Sequence, residues 1–416
     1  MTSSKMHCAL ANDKPRRRFG APLHDPNPKN SISTPTHYAT DLTPRPSSFR
    51  PHCLARDRLR LWKPANPPPR ASSHQDADVS ETQLDRILDV INASWAESTK
   101  STYGAGLLVF HVFCDIHDVP EGQRCPTSPT LLLSFLSSCA GSYSGASLNN
   151  YVAGLKAWHL LHGHKWDINP SEIKAVLEGA SRLAPPTSRR PNREPFTPDL
   201  IVRFRSHINL NDPLDAAIFA CMTICFWAVA RLGELTVPNI NSFDTTKHVT
   251  LSGVSKVVDR DGNQVTKFRI PITKMSGPGN NGEYVQCASQ EGHADPIAAL
   301  DNHLRLNKVG PNDHLFAWKT KDGLLRPLSR RQVITFILKV AKLHGLPNLK
   351  GHSLRIGGTL EYLLRGVPFD AIQAQGRWAG RAFTLYLRKH AMILAPYLQA
   401  SPTLEPFTRY TQPPVR

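Results

Sequence analysis

The chain has no apolar run approaching the ~18 residues a membrane-spanning helix needs, so nothing in it reads as a transmembrane segment. Its start, Met1-Thr2-Ser3-Ser4-Lys5, lacks the apolar core of a secretory signal. Eight cysteines are scattered without one Cys-x-x-Cys, which argues against a zinc ribbon or a thioredoxin-like redox site. Cys221 and Cys225 fall in an apolar helical stretch, so buried reduced thiols are expected, rather than disulfides or metal ligands, in a reducing compartment. The Gly-rich run Gly277-Pro278-Gly279-Asn280-Asn281-Gly282 lacks the Lys-Ser/Thr of a phosphate-binding loop and does not precede a helix. It reads as a flexible loop between strands. His162-Gly163-His164 has no neighbouring Cys or acid and reads as a helix-end turn. Neither a metal nor a cofactor is expected.

Acid is the scarce charge. Lys and Arg number 50 against 33 Asp and Glu, a formal net charge of +17. A basic excess is the footprint of a phosphate-backbone binder, though chromatin, ribosomal and membrane-surface proteins share it. A length of 416 residues suggests two domains plus extensions, at ~100–200 residues per domain.

Residues 1–78 are rich in Pro, Ser, Thr, Asn and Arg and read as a disordered basic arm. Lys14-Pro15-Arg16-Arg17-Arg18 within it reads as a nuclear import signal, a DNA-touching tail or a solvated charge cluster. From Ser80 the pattern turns helical: Leu84, Ile87, Leu88 and Ile91 follow the i, i+3, i+4, i+7 rule. Further helical segments around 131–138, 148–161 and 173–183 complete an all-helical module over residues 79–183. Residues 184–196 form a prolyl, basic, acid-poor linker whose Arg189, Arg190 and Arg193 are expected to bind DNA by running along its phosphates. A second domain, residues 197–400, has a strongly apolar helix at 214–230, strands at 249–258 and 265–272 joined at Asp259-Arg260-Asp261-Gly262, and several later helices. Residues 401–416 form a tail. The expected class is mainly α with a small antiparallel sheet.

Near the C-terminus, Gly351-His352-Ser353-Leu354-Arg355 precedes Gly376-Arg377-Trp378 and Tyr386-Leu387-Arg388. His352 and Arg355 are three apart and would share one helical face. Tyrosine becomes a covalent nucleophile only when a base takes its proton and cations hold the electrophile. This order of side chains suits attack on a DNA phosphodiester.

With Arg231 in Ala230-Arg231-Leu232-Gly233-Glu234-Leu235 and Lys274 in Ile272-Thr273-Lys274-Met275, the series resembles the catalytic core of the tyrosine recombinase (phage-integrase-like) family. Its run looks most like recombinases of eukaryotic DIRS-type and crypton-type mobile elements. The resemblance spans roughly residues 82–400. It implies a core-binding (SAM-like) helical domain followed by an integrase-like α+β catalytic domain. It also implies double-stranded DNA as partner, self-association on DNA as a tetramer during exchange, and a nuclear location in a eukaryote.

The resemblance makes Tyr386 the nucleophile, giving a 3′-phosphotyrosyl bond and a free 5′-hydroxyl, with Tyr362 and Tyr397 as rivals. Arg231 and Arg355 would hold the non-bridging oxygens, since guanidinium offers paired donors and stays charged. Arg231 also reads as a helix C-terminal cation. Lys274 would protonate the leaving oxygen, with Lys256 and Lys267 as competitors. His352 would accept the tyrosine proton or bridge to the phosphate; it also reads as a capping or core histidine. Many family members place histidine after the glycine equivalent to Gly376, where this chain has Arg377 and then Trp378. Trp378 therefore stands as the indole donor, and Arg377 as an auxiliary phosphate contact. Glu234 would orient a catalytic group. Two other readings remain: a non-catalytic DNA-binding protein on a recombinase scaffold, and a type IB topoisomerase-like enzyme.

Overall fold

Local caps set most of the helix starts in this chain. The structure, a computed structural model, describes residues 38–66, 80–188, 191–273, 282–346, 348–380, 384, 390–395 and 398–399. It divides into two compact units, Met1–Arg190 and Pro191–Arg416.

The first unit is helical: α1 (Arg58–Leu61), α2 (Glu81–Asn92), α3 (Glu97–Ile116), α4 (Glu121–Arg124), α5 (Pro129–Cys139), α6 (Gly145–Leu161) and α7 (Pro170–Leu183). Ser80 and Gln83 form a reciprocal capping box before α2. Ser128 and Asn169 cap α5 and α7, each with proline in the first turn, where its missing N–H loses nothing. Leu107, Phe110 and Cys114 of α3 are fully buried and share a core with Leu132, Phe135, Leu155 and Leu161.

Residues 38–66 correct the expectation of a disordered arm over 1–78. Leu59 and Trp62 are fully buried in the helical core. The Trp62 indole N–H donates to Pro51 O at 3.0 Å, and the Trp62 carbonyl accepts from the Trp158 indole at 2.7 Å. Arg50 is buried against Asp115 and Glu121. Arg58 donates to Gly104 O at 2.9 Å and lies over the rings of Tyr38 and Trp62. The segment has few apolar residues and no periodicity. It docks through one indole and buried arginines that meet acids and carbonyls already fixed on the helices. The Lys14–Arg18 cluster and the remainder of the expected arm lie outside the described residues.

The second unit opens with α8 (Pro198–Arg205), capped by Thr197, and α9 (Pro213–Trp227), capped by Asp212. Helix α9 is apolar all round and buried from Ala216 to Trp227, as such a helix must be. The strands β1 (Val254–Val258), β2 (Gln264–Ile270) and β3 (Glu283–Cys287) form an antiparallel sheet in the order β1-β2-β3, with Val254 opposite Phe268 and Phe268 opposite Val285. Residues Leu251–Gly253 form a 3-10 turn, so the first strand is shorter than its apolar run. The sequence did not single out β3, because only Val285 and Cys287 of its five residues are buried.

Then come α10 (Pro296–Asn307), the hairpin β4 (Trp318–Lys319) and β5 (Leu325–Arg326), α11 (Arg330–Leu343), α12 (Gly351–Leu364), α13 (Phe369–Gly376) and α14 (His390–Leu394). The chain is mainly α with a small antiparallel sheet. The described cysteines are buried free thiols, and no described helix is long and apolar enough to cross a membrane.

Candidate active site

Helix α9 stops at Trp227, and two residues later Val229 takes φ 49°. A β-branched residue rarely adopts this left-handed conformation, which costs on the order of 1–3 kcal/mol. The turn aims the Val229 carbonyl at α12, where it accepts from Arg355 Nη1 at 2.7 Å. Arg355 Nη2 donates to the Gly376 carbonyl at the end of α13. The guanidinium carbon also lies 4.4 Å from the centre of the Trp378 ring. Arg355, only 1% exposed, thus joins the end of α9, the end of α13 and the indole. The two carbonyls use two of its five N–H donors.

The glycines of the Ile356-Gly357-Gly358 run are explained by close approach. A Cβ on Gly358 would run into the Phe226 carbonyl of α9, and one on Gly357 would run into the Phe196 backbone. Phe196 N–H donates to Ser353 O at 3.1 Å. This bond ties the segment carrying Arg193 to the helix that carries His352. Gly376 lies under the Trp378 ring, which a Cβ there would displace.

Arg231 begins the 3-10 turn Leu232–Glu234. Its Nη1 meets Glu234 Oε1 at 2.8 Å, and its backbone N–H donates to Glu234 Oε2 at 2.8 Å. The Arg231 side chain is 28% exposed while that of Glu234 is 6% exposed, so the carboxylate anchors from beneath. Arg377, in the left-handed region at φ 55°, reaches Glu234 Oε2 at 2.6 Å and Glu283 Oε2 at 2.8 Å. Burial pushes the Glu234 carboxyl up, but Arg377 and the hydrogen bonds from Arg231 outweigh it and hold it below the usual range. Glu234 therefore stays ionised. Both arms of Arg377 meet carboxylates, so it braces Glu234 against Glu283.

His352 is the second residue of α12, at a helix end that favours anions. Burial, then the charges of Arg193, Arg355, Arg231 and Arg330, push its pKa down to about 4. Near neutral pH its imidazole is uncharged.

Tyr362 does not share this setting. Its hydroxyl donates to the Trp227 carbonyl at 2.8 Å, and burial pushes its pKa up. The Lys267 ammonium lies 4.4 Å from the Tyr284 ring centre, and Lys256 is exposed on β1. Lys274, Tyr386, Tyr397, Arg189 and Arg190 lie outside the described residues. The structure brings together Arg193, Arg231, Glu234, His352, Arg355, Arg377 and Trp378. The sequence reading missed Val229, Glu283 and Arg330. Only Arg330 left a local signal, as the first residue after the Ser329 cap. Among the described residues no three His, Cys, Asp or Glu converge as metal ligands.

No protein-family profile matches the chain, and no curated protein matches it. Among solved structures it is similar to the XerH site-specific recombinase bound to palindromic difH substrate in a post-cleavage complex, at 14% identity and a TM-score of 0.48, over 76% of this chain and 81% of that one. It is similar to a lambda integrase dimer bound to a COC′ core site, at 14% identity and a TM-score of 0.44, over 75% of this chain and 96% of that one. A third similar structure is the Tn1549 transposon integrase with transposon right-end DNA, at 12% identity and a TM-score of 0.43, over 76% and 95% of the two chains.

Proposed function

We propose that this protein breaks and rejoins duplex DNA through Tyr386, as a tyrosine recombinase acting in DNA recombination and integration. The observation that carries the reading is that the Arg231 turn and the start of α11 close on Gly351, beside His352, so that the charges of Arg193, Arg231, Arg330 and Arg355 bear on a neutral imidazole. Positive charge gathered around an uncharged proton acceptor suits a phosphodiester and a nucleophile that must lose a proton.

In this mechanism Arg231 and Arg355 hold the non-bridging oxygens of the scissile phosphate. Donors aimed at a developing oxyanion are each worth ~10²–10³ in rate. The Tyr386 oxygen bonds to phosphorus as its proton passes to His352. The bond from phosphorus to the 5′-oxygen breaks, and Lys274 supplies the proton that the oxygen takes. The free 5′-hydroxyl then attacks the phosphotyrosyl bond and reverses these steps. A phosphodiester is exchanged for a phosphotyrosine, so rejoining requires no nucleotide cofactor. Exchange between two duplexes needs four strand cuts, hence a tetramer on DNA. A mobile-element origin and a nuclear site of action complete the proposal.

The test is incubation of the full chain with end fragments of its own genomic locus, followed by detection of covalent protein–DNA adducts. Adducts that form in EDTA, disappear in Tyr386→Phe and persist in Tyr362→Phe support the assignment. Specific binding with no adduct would favour a DNA-binding protein on a recombinase scaffold. Supercoil relaxation without strand exchange would favour a topoisomerase-like output.

A further inference from the structure

The four arginines around His352 differ in what balances them. Arg231 is paired with Glu234, and Arg355 is bonded to two carbonyls and stacked on Trp378. Arg193 and Arg330 are exposed and form no ion pair among the described residues. Both are nevertheless held in place by long-range backbone bonds. Phe196 N–H to Ser353 O fixes the segment of Arg193 against α12. Arg330 N–H donates to Val237 O at 2.9 Å, and Val237 N–H to Leu328 O at 3.1 Å. That double tie fixes the first residue of α11 beside the chain leaving the Arg231–Glu234 turn.

We propose that Arg193 and Arg330 form an outer phosphate site beside the Arg231–Arg355 pair, binding a DNA backbone phosphate that flanks the one being cut. A single phosphate presents two non-bridging oxygens, which the inner guanidinium pair would already occupy. Two further guanidiniums that form no ion pair among the described residues are left to a neighbouring phosphate. Guanidinium is suited to the task because it stays charged and presents a planar donor fork. A Cβ at Gly351, next to His352, would meet Leu232 of the Arg231 turn and Ile334 of α11, so the starts of α11 and α12 and that turn border one space. The outer site would set where the strand lies over the inner pair without taking part in bond making. Arg193 and Arg330 are thus positioning residues, and the assignment rests on the proposed function.

The experiment measures the salt dependence of affinity for a short synthetic duplex of unselected sequence, using the full chain. Each lost phosphate contact should lower the log–log slope by about 0.9. Arg193→Gln and Arg330→Gln should each flatten the slope by about one contact, and the double variant by about two. Arg203→Gln serves as comparison, since Arg203 is exposed on α8 and is not among the arginines whose charge bears on His352. Equal slopes in the wild type and the double variant, with a steep wild-type slope, would overturn the outer site and leave DNA binding standing. An equal loss in Arg203→Gln would mean diffuse charge attraction and would also overturn it. A wild type with no salt-dependent duplex affinity would refute the proposed function itself.

Discussion

The Arg355 guanidinium lies over the face of Trp378, 4.4 Å from the ring centre. The indole is therefore a platform for the arginine, in addition to being a source of one N–H. A desolvated stack of this kind is worth up to about 2 kcal/mol. Trp378→Phe keeps a ring and removes the N–H, whereas Trp378→Ala removes both. We expect Trp378→Phe to retain most adduct formation and Trp378→Ala to lose roughly ten-fold or more. A Phe variant as impaired as Ala would transfer the role to the N–H.

Arg231 and Arg355 should fail differently. Arg231 is partly exposed and Arg377 also holds its partner Glu234, so Arg231→Ala should cut the rate of adduct formation by ~10² or more, with a smaller loss of melting temperature than Arg355→Ala. Arg355→Ala strands the Val229 and Gly376 carbonyls in a buried site, at about 1–3 kcal/mol for each unsatisfied group. That variant should lose both rate and melting temperature. Equal melting temperatures in the two variants would contradict the structural half of this reading.

Glu234 binds Arg231 through one oxygen and Arg377 through the other. Glu234→Gln removes the charge both arginines rely on while keeping the shape. Adduct formation should drop, and the protein should be less stable, because breaking a buried pair leaves an uncompensated charge. Glu283→Gln touches only Arg377 and should have the smaller effect on rate. Comparing single-turnover rates of the two variants checks the order.

Acid should weaken the fold through histidines kept neutral. His159, His162, His303 and His352 are all pushed down to about 4, mainly by burial, whereas the unfolded value is about 6.5. Between these values the unfolded chain binds more protons, so stability is fully present above pH ~6.5 and is lost as pH falls toward ~4. Denaturant midpoints across that window should decline steadily. In the DNA-free protein, an imidazole NMR titration of His352 should show a midpoint near 4; a midpoint at the ordinary value would remove the four-arginine setting.

Trp62 tests the docked segment. It is fully buried and bonded at both its indole and its carbonyl. Trp62→Ala should destabilise the helical unit by about 3–5 kcal/mol, and deletion of residues 38–66 should do at least as much. Unchanged thermal unfolding in either variant would show that the segment is dispensable.

Local chemistry accounts for what could be read from the chain. A cap is an interaction over two or three residues, so Thr197, Asp212 and Ser329 start their helices through chemistry local to the chain. An apolar helix without a polar face, such as Pro213–Trp227, has to be buried. The three-residue spacing of His352 and Arg355 places them on one turn of α12. These facts follow from the sequence because neighbouring residues decide them.

The tertiary structure decided what those side chains meet. Arg377 reaches Glu234, 143 positions away, and Arg355 reaches the Val229 carbonyl, 126 positions away. No local pattern encodes either bond, since each depends on how α9, α12 and α13 close on one another. Packing likewise turned part of an apparently featureless arm into core, through Trp62 and Arg50, and placed Arg330 and Arg193 around His352. Short-range rules specify elements and the order of residues along them; only the folded backbone decides which charges are neutralised and which are left facing outward for a ligand.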